Sequence, residues 1–239
     1  DCSIDWERTA ASITARTRLI VINSPHNPCG TVLQAADLDR LAEIIRDREI
    51  YVLSDEVYEH MVFDGAVHHS VLAHGELRQK SFAVFSFGKT YHATGWKLAY
   101  CVAPADLSAE FRKVHQFVTF TSPSFIQYAL ADFMRDCPQH HLELPAFYQE
   151  RRDFFAHLLA PSQFSFVPSA GTYFQCADYS AISDLDDREF VIWMTRDKGV
   201  AAIPLSPFYA RDPGSRIVRF CFCKNNDTLE QAAEILCAL

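Results

Sequence analysis

Short apolar runs alternate with amphipathic stretches along the first part of this chain, and that alternation restricts it to a layered α/β fold in which crossovers join neighbouring strands. Residues 19–23 read LIVIN, a run that a parallel sheet buries on both faces, and the run ends in the turn-forming segment SPHNPCG. Leu38, Leu41, Ile44 and Ile45 follow helical spacing and predict a helix over 35–48. IYVL at 50–53 reads as a second strand, closing on Ser54 and Asp55. A third strand at 82–85 runs into SFGKTYHATGWK, and a fourth at 98–102 follows it. In open α/β sheets ligands collect beyond the carboxyl ends of the strands. Polar clusters of this chain fall at those ends.

From about residue 108 the pattern is helical through 134, and a second helical stretch covers 142–159 before Pro161. Further on, strands are expected at 164–167, 172–177, 200–203 and 217–223, with helices at 187–198 and 228–237, the last capped by Asp227. The expected organisation is a large domain over 1–150, a mostly parallel sheet with flanking helices and an interdomain helix. A smaller α+β domain over 151–239 follows it.

Composition narrows the functional classes. A hydrophobic content of 49% fills a core, and a net charge of −8 without blocks of like charge argues against a nucleic-acid surface. No apolar run reaches the roughly eighteen residues of a membrane span, and the opening residues lack a charged-then-apolar signal pattern, so a cytoplasmic protein is expected. The eight cysteines lack the paired spacing of a zinc site and read as buried thiols in a reducing compartment; no metal is expected. The chain opens at Asp1 rather than Met, on polar residues followed by a strand of central character. A missing front is expected.

Lys89, in Ser86-Phe87-Gly88-Lys89-Thr90, follows the third strand beside a glycine and among hydroxyls, where partial desolvation favours imine chemistry. An isolated lysine there would be read as a solvated loop residue. Asp55 ends the second strand, where a carboxylate can pair with a protonated ring nitrogen or cap a helix starting at Glu56. Tyr58 can donate its hydroxyl to a phenolate or simply bury its ring. Asn27 offers an amide to the same oxygen or opens an ordinary Asn-Pro turn. Arg219 lies within an apolar strand, where an unpaired cation is costly, so it requires an anion. His26 and His92 lack metal spacing and read as packed turn residues.

Taken in order, N-P, S-D-E-x-Y, S-F-G-K-T and T-G-W-K resemble the fold-type I aminotransferases of class I/II, and GTYF, GVAAIPLS and RFCF resemble the methionine and kynurenine branch. The resemblance covers essentially the whole chain and implies part of a pyridoxal 5′-phosphate transferase large domain followed by the smaller domain. It implies Lys89 as the catalytic lysine that binds the cofactor covalently, and Asp55 as the partner of the pyridine nitrogen. Asn27 and Tyr58 fall on residues that contact the ring oxygen, and Ser86 and Lys97 on phosphate ligands. Arg219 falls on the residue that holds the substrate α-carboxylate through a bidentate fork. Phe87, Tyr91, Trp96 and Phe208 offer apolar walls suited to methionine or aromatic side chains.

The implied reaction moves an amino group from an amino acid to a 2-oxo acid in two stages, with Lys89 as general base, in a homodimer. The resemblance also implies an N-terminal portion, absent here, that supplies further strands, phosphate ligands and a ring stacked on the pyridine. Exposed apolar sheet edges and helix faces are therefore expected. Two other outcomes fit the same residues: a carbon–sulfur β-lyase, and a cofactor-free remnant that only binds.

Overall fold

A computed structural model describes residues 2–239. It divides into two compact units, the first comprising residues 2–25 and 31–144, the second residues 26–30 and 145–239.

In the first unit, α1 (Trp6–Ser12) starts where the Asp5 side chain accepts from Arg8 N, a short helix that the polar opening residues did not suggest. Three parallel strands follow in register, β1 (Leu19–Asn23), β2 (Tyr51–Asp55) and β3 (Ser81–Ser86), with α2 (Ala35–Ile45) as the crossover between β1 and β2. The one-turn helix α3 (Phe87–Thr90) leads to β4 (Ala99–Val102), which returns antiparallel to β3 and completes a four-stranded sheet in the order β1-β2-β3-β4. Ile22, Val52, Ala83 and Phe85 meet Leu38, Leu41 and Ile45 of α2 in the core. Burying a side chain such as Leu41 contributes roughly 1.5–3 kcal/mol.

The expectation that LIVIN is buried on both faces fails. Ile22 is buried, whereas Val21 is 63% exposed because α2 covers the alternate face only. The long helix expected over 108–134 is two helices, α4 (Ala105–Val118) and α5 (Ser124–Asp136). Between them Phe120 takes a left-handed backbone conformation, and Pro123 has no N–H to continue a helix. Phe117, Phe120, Phe125 and Tyr128 leave an apolar surface exposed there.

α6 (His140–Leu159), which contains Pro145, carries the chain into the second unit. There β5 (Phe174–Asp178), β6 (Ile203–Pro204) and β7 (Ile217–Cys221) form an antiparallel sheet in the order β5-β7-β6. α7 (Asp187–Trp193) widens into a π-turn over Met194–Lys198 that ends at Gly199, so the helix expected over 187–198 is present but changes its winding. Tyr179 and Phe190 stack with centroids 3.8 Å apart in the core, near Phe164 and Phe220. The strand expected at 164–167 shrinks to a bridge between Ser165 and Asp178, since the Val167 carbonyl accepts from the Gln175 side chain instead of a ladder partner. The strand expected at 200–203 is only β6, where Pro204 lacks a ladder donor.

The final helix, α8 (Asn226–Leu236), is capped by Asn225, which accepts from Thr228 N at 2.9 Å; Asp227, the expected cap, sits inside the first turn. The expectation of uniformly buried thiols also fails, since Cys2 and Cys29 are disulfide-bonded and Cys137 and Cys237 are exposed. No helix of the described residues is long and apolar enough to cross a membrane, and these residues hold no cluster of three or more metal-ligating side chains.

Candidate active site

Parallel pairing of β2 with β3 sets Asp55 opposite Val84, so the carboxyl ends of both strands share one edge of the first unit. Residues 56–60 form a turn rather than a helix, and the Asp55 carboxylate accepts from Val57 N at 3.3 Å, which leaves the helix-cap reading of Asp55 without support. The backbone carbonyl of Asp55 is fixed from β1 by the Asn23 side chain at 2.8 Å and Ser24 N at 3.1 Å. Partial burial pushes the Asp55 carboxyl above its usual range, and nearby Glu56 adds to this; the bond from Val57 and the positive charge of Lys89 pull the other way.

Ser86 closes β3 and caps α3, accepting from Lys89 N at 3.3 Å, so its hydroxyl proton remains available to a further acceptor. The turn is too tight for a side chain at Gly88, where a Cβ would lie 3.0 Å from Thr94 Cα and 3.2 Å from the Ala93 carbonyl. Lys89 Nζ lies 5.5 Å from the centroid of the buried Tyr58 ring. Amine, carboxylate and phenol of the sequence-derived set are thus gathered at one sheet edge. Lys97 stands apart: it is exposed, holds a left-handed conformation with φ 54°, and lines a cleft of about 550 Å³ with Tyr100, Arg112 and His115. Asp55, Tyr58 and Lys89 do not line that cleft.

In the second unit Arg219 occupies the middle strand, opposite Cys176 of β5 and Ile203 of β6. Its Nη1 donates to Asn27 Oδ1 at 2.5 Å, and the guanidinium carbon lies 3.9 Å from the Phe174 ring centroid and 6.0 Å from that of Phe208. Nε is buried with no hydrogen-bond partner, and among the described residues no carboxylate pairs with Arg219. A desolvated guanidinium with an unused N–H is suited to an anion from outside the chain. His26 has a buried Nδ1 that is likewise unpartnered, and burial holds its imidazole below the usual histidine range.

One residue of the first site, Glu56, is not legible in the sequence as part of it. Glu56 is 1% exposed and accepts from Ser54 Oγ and His68 Nε2 at 2.8 Å and from Val71 N at 3.1 Å. Burial acts to raise its pKa, yet the bonds from His68, Ser70 and Ser54 together outweigh burial and hold it below the usual range. This ionised carboxylate ties the segment carrying Tyr58 to the end of β2. In the sequence Glu56 is only the letter after Asp55, with nothing to mark it as buried.

The pattern of the family described as aminotransferase class I and II matches residues 1–236. The chain is 52% identical over 233 residues to methionine aminotransferase of Escherichia coli, covering 98% of this chain and 60% of that protein. It is 31% identical to human kynurenine–oxoglutarate transaminase 1, over 98% of this chain and 60% of the relative. The crystal structure of an Escherichia coli protein with an identified methionine aminotransferase function superposes with a TM-score of 0.95 at 52% identity, covering 99% of this chain and 63% of that one. The chain therefore spans about three-fifths of the length of these relatives.

Proposed function

Because this chain belongs to the class I and II aminotransferases, we propose that it carries the cofactor-anchoring and α-carboxylate-binding residues of a pyridoxal-phosphate transaminase acting on methionine or large neutral and aromatic amino acids. The observation that carries this reading is the placement of Lys89, Asp55 and Tyr58 at one sheet edge. That donor set suits the cofactor: an amine for its aldehyde, a carboxylate for its ring nitrogen and a hydroxyl for its ring oxygen.

When bound, pyridoxal phosphate supplies an electron-withdrawing ring that takes up the electron pair left when an amino acid loses its Cα proton. Lys89 would hold the cofactor through its amine and, once that amine is freed, would serve as the general base for the substrate Cα proton. Asp55 keeps the ring nitrogen protonated, and its burial strengthens that ion pair. Tyr58 donates its hydroxyl to the ring oxygen, and Asn27 its amide N–H. Ser86 and Lys97 take the phosphate, Ser86 through the hydroxyl proton that capping α3 does not use. Arg219 receives the substrate α-carboxylate through its fork, with Nε as one of the donors. Phe208, beside Arg219, suits an apolar substrate side chain better than a second carboxylate. Homodimeric assembly and a cytoplasmic location complete the proposal.

Incubating the protein with pyridoxal phosphate, methionine and a 2-oxo acid tests the outcome. Accumulation of the 2-oxo acid of methionine together with the new amino acid is expected; ammonia released with the 2-oxo acid of an eliminated side chain would assign a carbon–sulfur lyase instead.

A further inference from the structure

We propose that His140 is a positioning residue for Lys89, holding the α3 turn by capping its last carbonyl. A one-turn helix leaves its carbonyls without partners inside the helix, and each needs a donor from elsewhere. In α3 the Ser86 carbonyl accepts from Thr90 Oγ1 at 3.3 Å, that of Phe87 from Tyr91 N at 2.8 Å, and that of Gly88 from Ala93 N at 3.0 Å. The carbonyl of Thr90, the residue next to Lys89, lies 2.9 Å from His140 Nε2, fifty positions away in sequence. A carbonyl only accepts, so Nε2 of His140 is the donor of this bond.

Three rings lock the imidazole in place. Tyr91 stacks on it at 5.3 Å, while His92 and Phe133 meet it edge-on at 5.2 and 5.4 Å. Two of these rings directly follow α3 in the chain, so the first residue of α6 grips the turn through both its backbone and its flanking side chains. Lys89 is held between the Ser86 cap on one side and this clamp on the other. Losing the His140 donor leaves the carbonyl of the buried Thr90 unsatisfied and frees the end of α3 to fray.

The inference rests on Lys89 as the cofactor lysine, so its test separates the two. The protein is titrated with pyridoxal phosphate, reduced with borohydride, and the pyridoxyl group on Lys89 is quantified by peptide mass against concentration. His140→Phe keeps a ring and removes the donor; His140→Gln keeps a donor and removes the ring. We expect the Phe variant, at an unchanged melting temperature, to need on the order of tenfold more cofactor for half-labelling of Lys89, the effect of one ordinary hydrogen bond. We expect the Gln variant to stay within about twofold of wild type. If the Phe variant folds poorly, the Gln variant decides: labelling near wild type supports the clamp, and labelling as weak as expected for Phe overturns it. Labelling of the folded Phe variant at the wild-type concentration overturns it as well. A wild-type protein that takes no label at Lys89 overturns the proposed function itself, and the clamp with it.

Discussion

Lys89 Nζ and the Tyr58 ring centroid are 5.5 Å apart. The contact joins the ends of two parallel strands, because Tyr58 follows β2 and Lys89 follows β3. It sets an amine over an aromatic face beside Asp55, whose carboxyl feels the lysine's positive charge. A surface lysine serving only solubility has no need of that company.

Asp55→Asn removes the charge and keeps an oxygen able to accept from Val57 N. We expect transamination to fall by about a hundredfold or more, the scale of one preorganised electrostatic partner, with thermal stability close to wild type. Steady-state rates and melting curves of the two proteins check this. Equal rates would remove Asp55 from the site.

Arg219→Lys keeps the positive charge but loses the planar fork and the close packing on Phe174. KM for the amino acid should rise on the order of ten- to a hundredfold, with a smaller change in kcat, as charged hydrogen bonds of ordinary strength require. An unchanged KM would mean that the unused Nε–H does not meet substrate.

His60 is expected to contribute to acid sensitivity. Burial, with His141 and His68 adding, pushes its imidazole from 6.5 down to about 4, so the folded chain keeps it neutral while the unfolded chain protonates it. Unfolding then takes up a proton, and stability falls as pH drops from 6.5 through about 4. Urea midpoints of the wild type and His60→Phe, compared at neutral and mildly acidic pH, should show the smaller acid loss in the variant. Identical losses would contradict the assignment.

Gly30 has φ +71°, and a Cβ there would lie 2.5 Å from Ser169 Cβ and 2.9 Å from the Gly171 carbonyl. Gly30→Ala should therefore cost on the order of 2–4 kcal/mol through a left-handed backbone and a backbone clash together. Urea denaturation of the two proteins measures it, and a cost below about 1 kcal/mol would show that the loop relaxes freely.

The strands of the first unit were legible because runs such as LIVIN and IYVL mark extended segments in a few consecutive letters, although the runs do not tell that one face stays uncovered. The break between α4 and α5 was not, since apolar spacing continues on both sides of Phe120 while the left-handed turn leaves no glycine to mark it. For α8, Asn225 and Asp227 are two good caps two positions apart, and only the backbone decides between them. Residues 26–30 read as a simple turn after β1, yet they group with the second unit: Gly171 N donates to the Gly30 carbonyl, and Asn27 accepts from a residue 192 positions on. Family resemblance pointed to Lys89, Asp55 and Arg219 as a set. It offered nothing on His140 or Glu56, whose long-range hydrogen bonds leave no local pattern.

The proposed function requires that the ε-amine of Lys89 bind the cofactor covalently. The absorption spectrum of the protein with pyridoxal phosphate, recorded beside that of Lys89→Ala, tests it most directly. A protein-bound visible band is expected for the wild type and not for the variant, at matched folding. The same band in both proteins would contradict it.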